Sequence, residues 1–161
     1  MGRWLVRLVA GAVVPLAVVA TVFLVGIRTK SPAVVDRVRR FNRAVTNPRV
    51  LRTAGSSGAS ASVIRHRGRV SGRLYDTPVG PFAVGDGFVI ALPYGPDADW
   101  VRNVLAHGSA TLVHEGHTVP VHQPEVVATA EVVGKLPSSE QRTLRLFGVD
   151  QCLRLRTAPG D

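Results

Sequence analysis

The residues best suited to chemistry stand together between Arg65 and Val79. There Arg65, Arg67, Arg69 and Arg73 alternate with Gly68, Ser71 and Gly72, ahead of Asp76-Thr77-Pro78-Val79. Guanidinium groups fork onto phosphate or carboxylate oxygens, while glycine lets the backbone enter positive φ and lets a ligand approach closely. The stretch reads as an anion-binding hairpin between two apolar segments, with Arg67, Arg69 and Arg73 as donors and Ser71 adding a hydroxyl. No Gly-Lys-Ser/Thr follows, so it is not a P-loop. No strand-turn-helix surrounds it, so it is not a dinucleotide fingerprint. A solvated hairpin with its arginines in water uses the same residues.

Other chemistries find less support. His114 and His117 flank a turn at Glu115-Gly116 and His122 follows, but no acid or cysteine is spaced to complete a tetrahedral set, so no metal site is expected. No Ser-His-Asp or paired-carboxylate arrangement supports hydrolysis. The single cysteine, Cys152, cannot form an internal disulfide, which fits a reducing compartment, and it reads as a small buried hydrophobe.

The net charge of +9 over 161 residues is unevenly spread. Up to Arg73, 14 bases face one acid, Asp36; from Leu74 onward 6 bases face 10 acids. That asymmetry argues for a basic neck and a basic pocket, and against a general polynucleotide-binding face. Leu8 to Ile27 carries no charge and is long enough to cross a bilayer, so residues 1–30 read as an uncleaved membrane anchor. Arg3 and Arg7 precede it, whereas Arg28, Lys30, Arg37, Arg39, Arg40 and Arg43 follow, so the positive-inside bias puts the body in the cytoplasm.

The elements that must position the hairpin follow from periodicity. Residues 31–60 read as a basic amphipathic juxtamembrane helix, opened by Ser31-Pro32 and broken at Asn47-Pro48, then a linker or irregular loop over Gly55 to Ser60. From Ala61 to the end the pattern predicts a mainly β domain with short helices. Strands are expected at Ser62 to His66, Leu74 to Val84, Phe88 to Leu92, Ala110 to Val113, Thr118 to His122 and Gln151 to Arg156. Short helices are expected at Ala98 to His107 and after Pro137. Six or so short strands with two helices suggest a compact β-barrel.

The order of parts resembles the deazaflavin-dependent nitroreductase family, split β-barrel oxidoreductases that use coenzyme F-420. The resemblance rests on His66-Arg67-Gly68-Arg69-Val70-Ser71-Gly72-Arg73 with Thr77-Pro78-Val79, on Leu92-Pro93-Tyr94-Gly95, and on Asp99-Trp100 with Asn103, and runs from about Ala61 to about Val127. It implies a split β-barrel that binds a deazaflavin, with Arg67, Gly68, Arg69, Ser71, Gly72 and Arg73 near the phosphate. Thr77, Pro78, Val79, Leu92, Pro93 and Tyr94 would line the ring, and Asp99, Trp100 and Asn103 would complete the cofactor site. Two usual phosphate donors are replaced, by Val70 and by Tyr75.

The implied activity is hydride transfer from a reduced deazaflavin to a small electrophilic acceptor, such as a quinone-like or nitro compound, at the cell membrane. No catalytic acid or base can be named. An FMN-binding barrel enzyme and a non-catalytic membrane-tethered binding protein are the alternatives, nucleic acid is not an expected partner, and a homodimer is one assembly open to the chain.

Overall fold

The structure, a computed structural model, describes residue 21 and residues 23–157. The expected anchor lies, up to residue 20, outside the described residues. Among the described residues no helix is long and apolar enough to cross a membrane.

Seven strands form one antiparallel sheet: β1 (Ser62–Arg67), β2 (Leu74–Val79), β3 (Pro81–Val84), β4 (Gly87–Ala91), β5 (Ser109–His114), β6 (His117–Ala128) and β7 (Gln151–Thr157). Their order is β2-β1-β5-β6-β7-β4-β3. β2 and β3 are the opposite edges, yet only Gly80 separates them, so the edges meet end to end. On the far side β6 pairs first with β5 and then with β7, and it changes partner at a bulge between His122 and Glu125 where Gln123 has a φ of 51°. Two long strands thus each serve two half-sheets, which is the plan of a split β-barrel. The sequence reading expected one strand from Leu74 to Val84 and stopped the last hairpin at His122. The first is interrupted at Gly80, and the second runs on to Ala128 because the bulge re-aims the chain toward β7.

The inward faces share one core. Ile64, Leu112, Leu153 and Leu155 are 0–1% exposed, and Val79, Phe88, Ile90 and Val121 pack with them. Each such side chain contributes about 1.5–3 kcal/mol on burial. Gly87 is required where β4 runs beside β7, opposite Arg156, since a Cβ there would overlap the Leu155 carbonyl oxygen. One barrel end is closed by α3 (Asp99–His107), which inserts Val101 and Val104 into the core. Gly108, at φ 69°, ends this helix in the left-handed conformation.

The N-terminal segment is helical over α1 (Pro32–Phe41), a π-turn (Asn42–Thr46) and α2 (Asn47–Val50). A break at Asn47-Pro48 was expected. Instead the helix passes through, because Pro48 falls in the first turn of α2 and the wider π-turn before it makes room for a ring that donates no N–H. After it, Gly55 takes a φ of 83°, its N–H donates to the Ala61 carbonyl, and its own carbonyl accepts the Gly116 N–H at 2.7 Å. The irregular loop expected at Gly55 to Ser60 is therefore bonded to the β5–β6 turn.

Toward the C-terminus, α4 (Thr129–Val132) packs Val132 with Val89, Val127 and Cys152, and α5 (Ser138–Phe147) covers a second small cluster in which Leu136, Leu144 and Val149 meet Phe82 and Val84. Arg28 donates to the carbonyls of Arg145 and Leu146 in the last turn of α5, at 3.0 and 2.8 Å, and Lys30 pairs with Asp150. That hydrogen bond from Lys30 holds the Asp150 carboxyl below the usual carboxylate range.

Candidate functional site

Three elements wall a cleft of about 940 Å³: the N-terminal helical segment, the β1–β2 hairpin and the start of α3. The two-residue period of β1 explains what reaches it from the barrel. Ile64 and His66 face inward while Arg65 and Arg67 face out. Arg65, directly across from Asp76, forks onto its carboxylate at 2.8 and 3.0 Å, and this hydrogen bonding lowers the Asp76 pKa and raises that of Arg65. That ion pair is exposed, and its net worth is small.

The hairpin turns at Gly72, whose φ of 66° suits glycine, and the Gly72 N–H donates to the Gly68 carbonyl. Gly68 is buried against Ser71 and Tyr75, so a side chain there would push both aside. Arg69 is drawn into the cleft, donating to Asn103 Oδ1 from its backbone N–H at 3.1 Å and from its guanidinium at 2.9 Å. It also pairs with the Asp99 carboxylate at 3.3 Å. From the opposite wall Arg43 reaches the other Asp99 oxygen at 2.9 Å. Hydrogen bonds from Arg43, then from Arg69, hold the Asp99 carboxyl below its ordinary pKa.

Next to this triangle runs a buried polar chain. Asn103 and His66, 6% and 4% exposed, meet through Asn103 Nδ2 and His66 Nδ1 at 3.3 Å, and His66 Nε2 lies 3.1 Å from the Thr77 hydroxyl. Burial pushes the His66 pKa down, which keeps the imidazole neutral at pH 7. Tyr75 stacks on the His66 ring with centroids 5.9 Å apart, and its hydroxyl lies 3.0 Å from that of Ser71.

Of the residues singled out from sequence, Gly68, Arg69, Ser71, Thr77, Pro78, Tyr94, Asp99, Trp100 and Asn103 line this cleft. Arg67, Gly72, Arg73, Val79, Leu92 and Pro93 do not. Arg67 folds onto the Gly72 carbonyl, and Arg73 lies 5.9 Å over the Tyr75 ring. Val79 and Leu92 are buried in the barrel core. Val70, which stands where a phosphate donor is usual, also lines the cleft while 91% exposed.

Sequence reasoning passed over His66, Arg39, Asn42 and Arg43. His66 was legible from strand parity, two residues after Ile64. Asp36, Arg39, Arg40 and Arg43 repeat at helical spacing, a stripe read as facing lipid or solvent, but the helix lies across the barrel and turns that stripe into the cleft. Arg39 donates to the Tyr94 carbonyl at 2.6 Å, and Asn42 donates to the Tyr94 hydroxyl at 3.4 Å. The Arg39 Nε is buried and has no hydrogen-bond partner among the described residues.

No protein-family profile matches the chain, and neither does any of the curated proteins compared with it. Among solved structures, it is similar to the haem storage protein HutZ from Vibrio cholerae, at 10% identity and a TM-score of 0.46 over 63% of this chain and 82% of that one. It is similar to a reductase dependent on the reduced form of coenzyme F-420, at 11% identity and a TM-score of 0.39 over 60% and 94% of the two chains. An FMN-binding protein from Syntrophomonas wolfei subsp. wolfei is similar at 15% identity and a TM-score of 0.40, over 76% and 92%.

Proposed function

We propose that this chain is an oxidoreductase that holds a deazaflavin of the coenzyme F-420 type in the cleft and passes a hydride from it to a small electrophilic acceptor. The observation that carries this reading is the meeting of Arg43 and Arg69, from separate elements, on Asp99 in the cleft that Thr77, Pro78 and Trp100 also line. The lining suits such a group. About 940 Å³ is within the range of ligand clefts, and Arg39, Arg40, Arg43 and Arg69 bring guanidinium donors to its lining.

In this reading Arg69, Arg43 and Arg39 hold the anionic end. The backbone from Gly68 to Ser71, which lines the cleft, would stand close to that end, in place of the donors that Val70 and Tyr75 lack. Thr77 and Pro78 press on one side of the ring, and Trp100 and Tyr94 bound the cleft around it. The bound cofactor supplies the hydride chemistry. The chain supplies binding, orientation and partial exclusion of water, and no side chain is assigned as acid or base. FMN, whose phosphate suits the same arginines, is the second cofactor of this reading.

The apolar run Leu8 to Ile27 supports a single-pass anchor, and the arginines that follow it support a cytoplasmic body. Such tethering favours a lipid-soluble acceptor such as a quinone. Labelling of an engineered surface cysteine in intact cells by an impermeant thiol reagent tests the orientation, and ready labelling contradicts it. Turnover of menaquinone-like against water-soluble acceptors in vesicles tests the acceptor, and equal rates contradict it. A homodimer is the assembly proposed, and light scattering of the purified chain at the monomer mass contradicts it.

A further inference from the structure

The polar chain beneath the cleft fixes more than packing. Asn103 Oδ1 accepts two N–H donors of Arg69, one from the backbone and one from the guanidinium. Reversing the amide would set its NH₂ against both, so the Asn103 amide is oriented with Nδ2 toward His66. Nδ2 is only a donor, hence His66 Nδ1 accepts. In a neutral imidazole the proton then sits on Nε2, and Nε2–H donates to Thr77 Oγ1 at 3.1 Å. With a lone pair engaged by His66, the Thr77 O–H points elsewhere, and Thr77 lines the cleft.

We infer that the Thr77 hydroxyl, oriented by His66, Asn103 and Arg69, donates a hydrogen bond to an acceptor atom of the bound ring, a carbonyl oxygen or an unprotonated ring nitrogen. This inference rests on the cofactor reading given above and deepens it, naming the chemical feature of the ring that the barrel wall recognises. It makes Thr77 a specificity residue and His66 a positioning residue. The arrangement donates a hydrogen bond and does not deliver a proton. A proton passed on by Thr77 and replaced from Nε2 would leave His66 an imidazolate, because Nδ1 faces an amide that cannot supply one. Arg69 links this chain to the anion site, since the guanidinium that pairs with Asp99 also reaches Asn103 Oδ1 beside the Arg69 backbone N–H.

The experiment is a titration of the full chain, in detergent micelles, with the deazaflavin and with FMN, followed by the absorbance maximum of the bound cofactor as well as by affinity. Thr77→Val is expected to weaken binding about tenfold and to shift the maximum toward that of the free cofactor, while Thr77→Ser keeps wild-type values. His66→Phe is expected to move the maximum the same way with a smaller loss of affinity, and thermal melts check that each variant is folded. Wild-type affinity and spectrum in a folded Thr77→Val overturn the inference and leave the cofactor reading standing. Failure of the wild-type chain to bind either cofactor overturns the reading and the inference together.

Discussion

Arg43 and Asp99 are 56 residues apart in the chain and 2.9 Å apart in the fold. This contact makes the N-terminal helical segment a wall of the cleft. Arg43→Gln is therefore expected to weaken cofactor binding several-fold at low salt, with a smaller effect at high salt, while shifting the melting temperature little, since the pair is exposed. Calorimetric titration at two salt concentrations checks it, and a large loss of stability with unchanged affinity would contradict it.

The hairpin arginines are expected to differ sharply. Arg69 points into the cleft, whereas Arg67 is held by the Gly72 carbonyl and Arg73 by the Tyr75 ring. Arg69→Gln should cost about tenfold in affinity, the scale of one charge-assisted hydrogen bond. Arg67→Gln and Arg73→Gln should bind like the parent chain. Equal losses at all three positions would move the anion site out to the hairpin surface.

His66 links stability to pH. Burial, the dominant cause, lowers its folded pKa below the unfolded value near 6.5. The unfolded chain then binds a proton before the folded one does, so stability is full above about pH 6.5 and falls as pH drops toward the folded pKa. Denaturant melts from pH 8 to pH 5 should show this decline in the parent chain and less of it in His66→Gln. The same slope in both would assign the titration to another group.

Much of the barrel was legible because β1 alternates from Ile64 to Arg67 and because β4 is apolar throughout, as a strand buried on both faces must be. The turn at Glu115-Gly116 was legible from its glycine, which takes a φ of 81°. Less legible were features decided by packing at a distance. The extension of β6 depends on a bulge at Gln123, a residue whose type does not ask for positive φ. The continuation of the first helix through Pro48 depends on a π-turn that no sequence period signals. At the site, Arg69 and Asn103 were named from their order in the chain, but Arg43 enters only because a helix once read as lying along a membrane folds across the barrel.

Gly87 offers a test of the barrel itself. A Cβ at this position would meet the backbone of Leu155 and Arg156, neither of which can yield as a flexible side chain would. Gly87→Ala is expected to destabilise by about 3 kcal/mol in urea unfolding. An unchanged midpoint would mean that β4 and β7 do not lie this close at Gly87.

Equilibrium titration of the purified full-length chain with reduced and oxidised deazaflavin, and with FMN, bears most directly on the central claim. Saturable binding of one of them, tighter than about 1 mM, weakened by salt and by Arg69→Gln, is the predicted result. Binding of neither, or binding indifferent to both salt and Arg69, would contradict a cofactor held by its anionic end in this cleft.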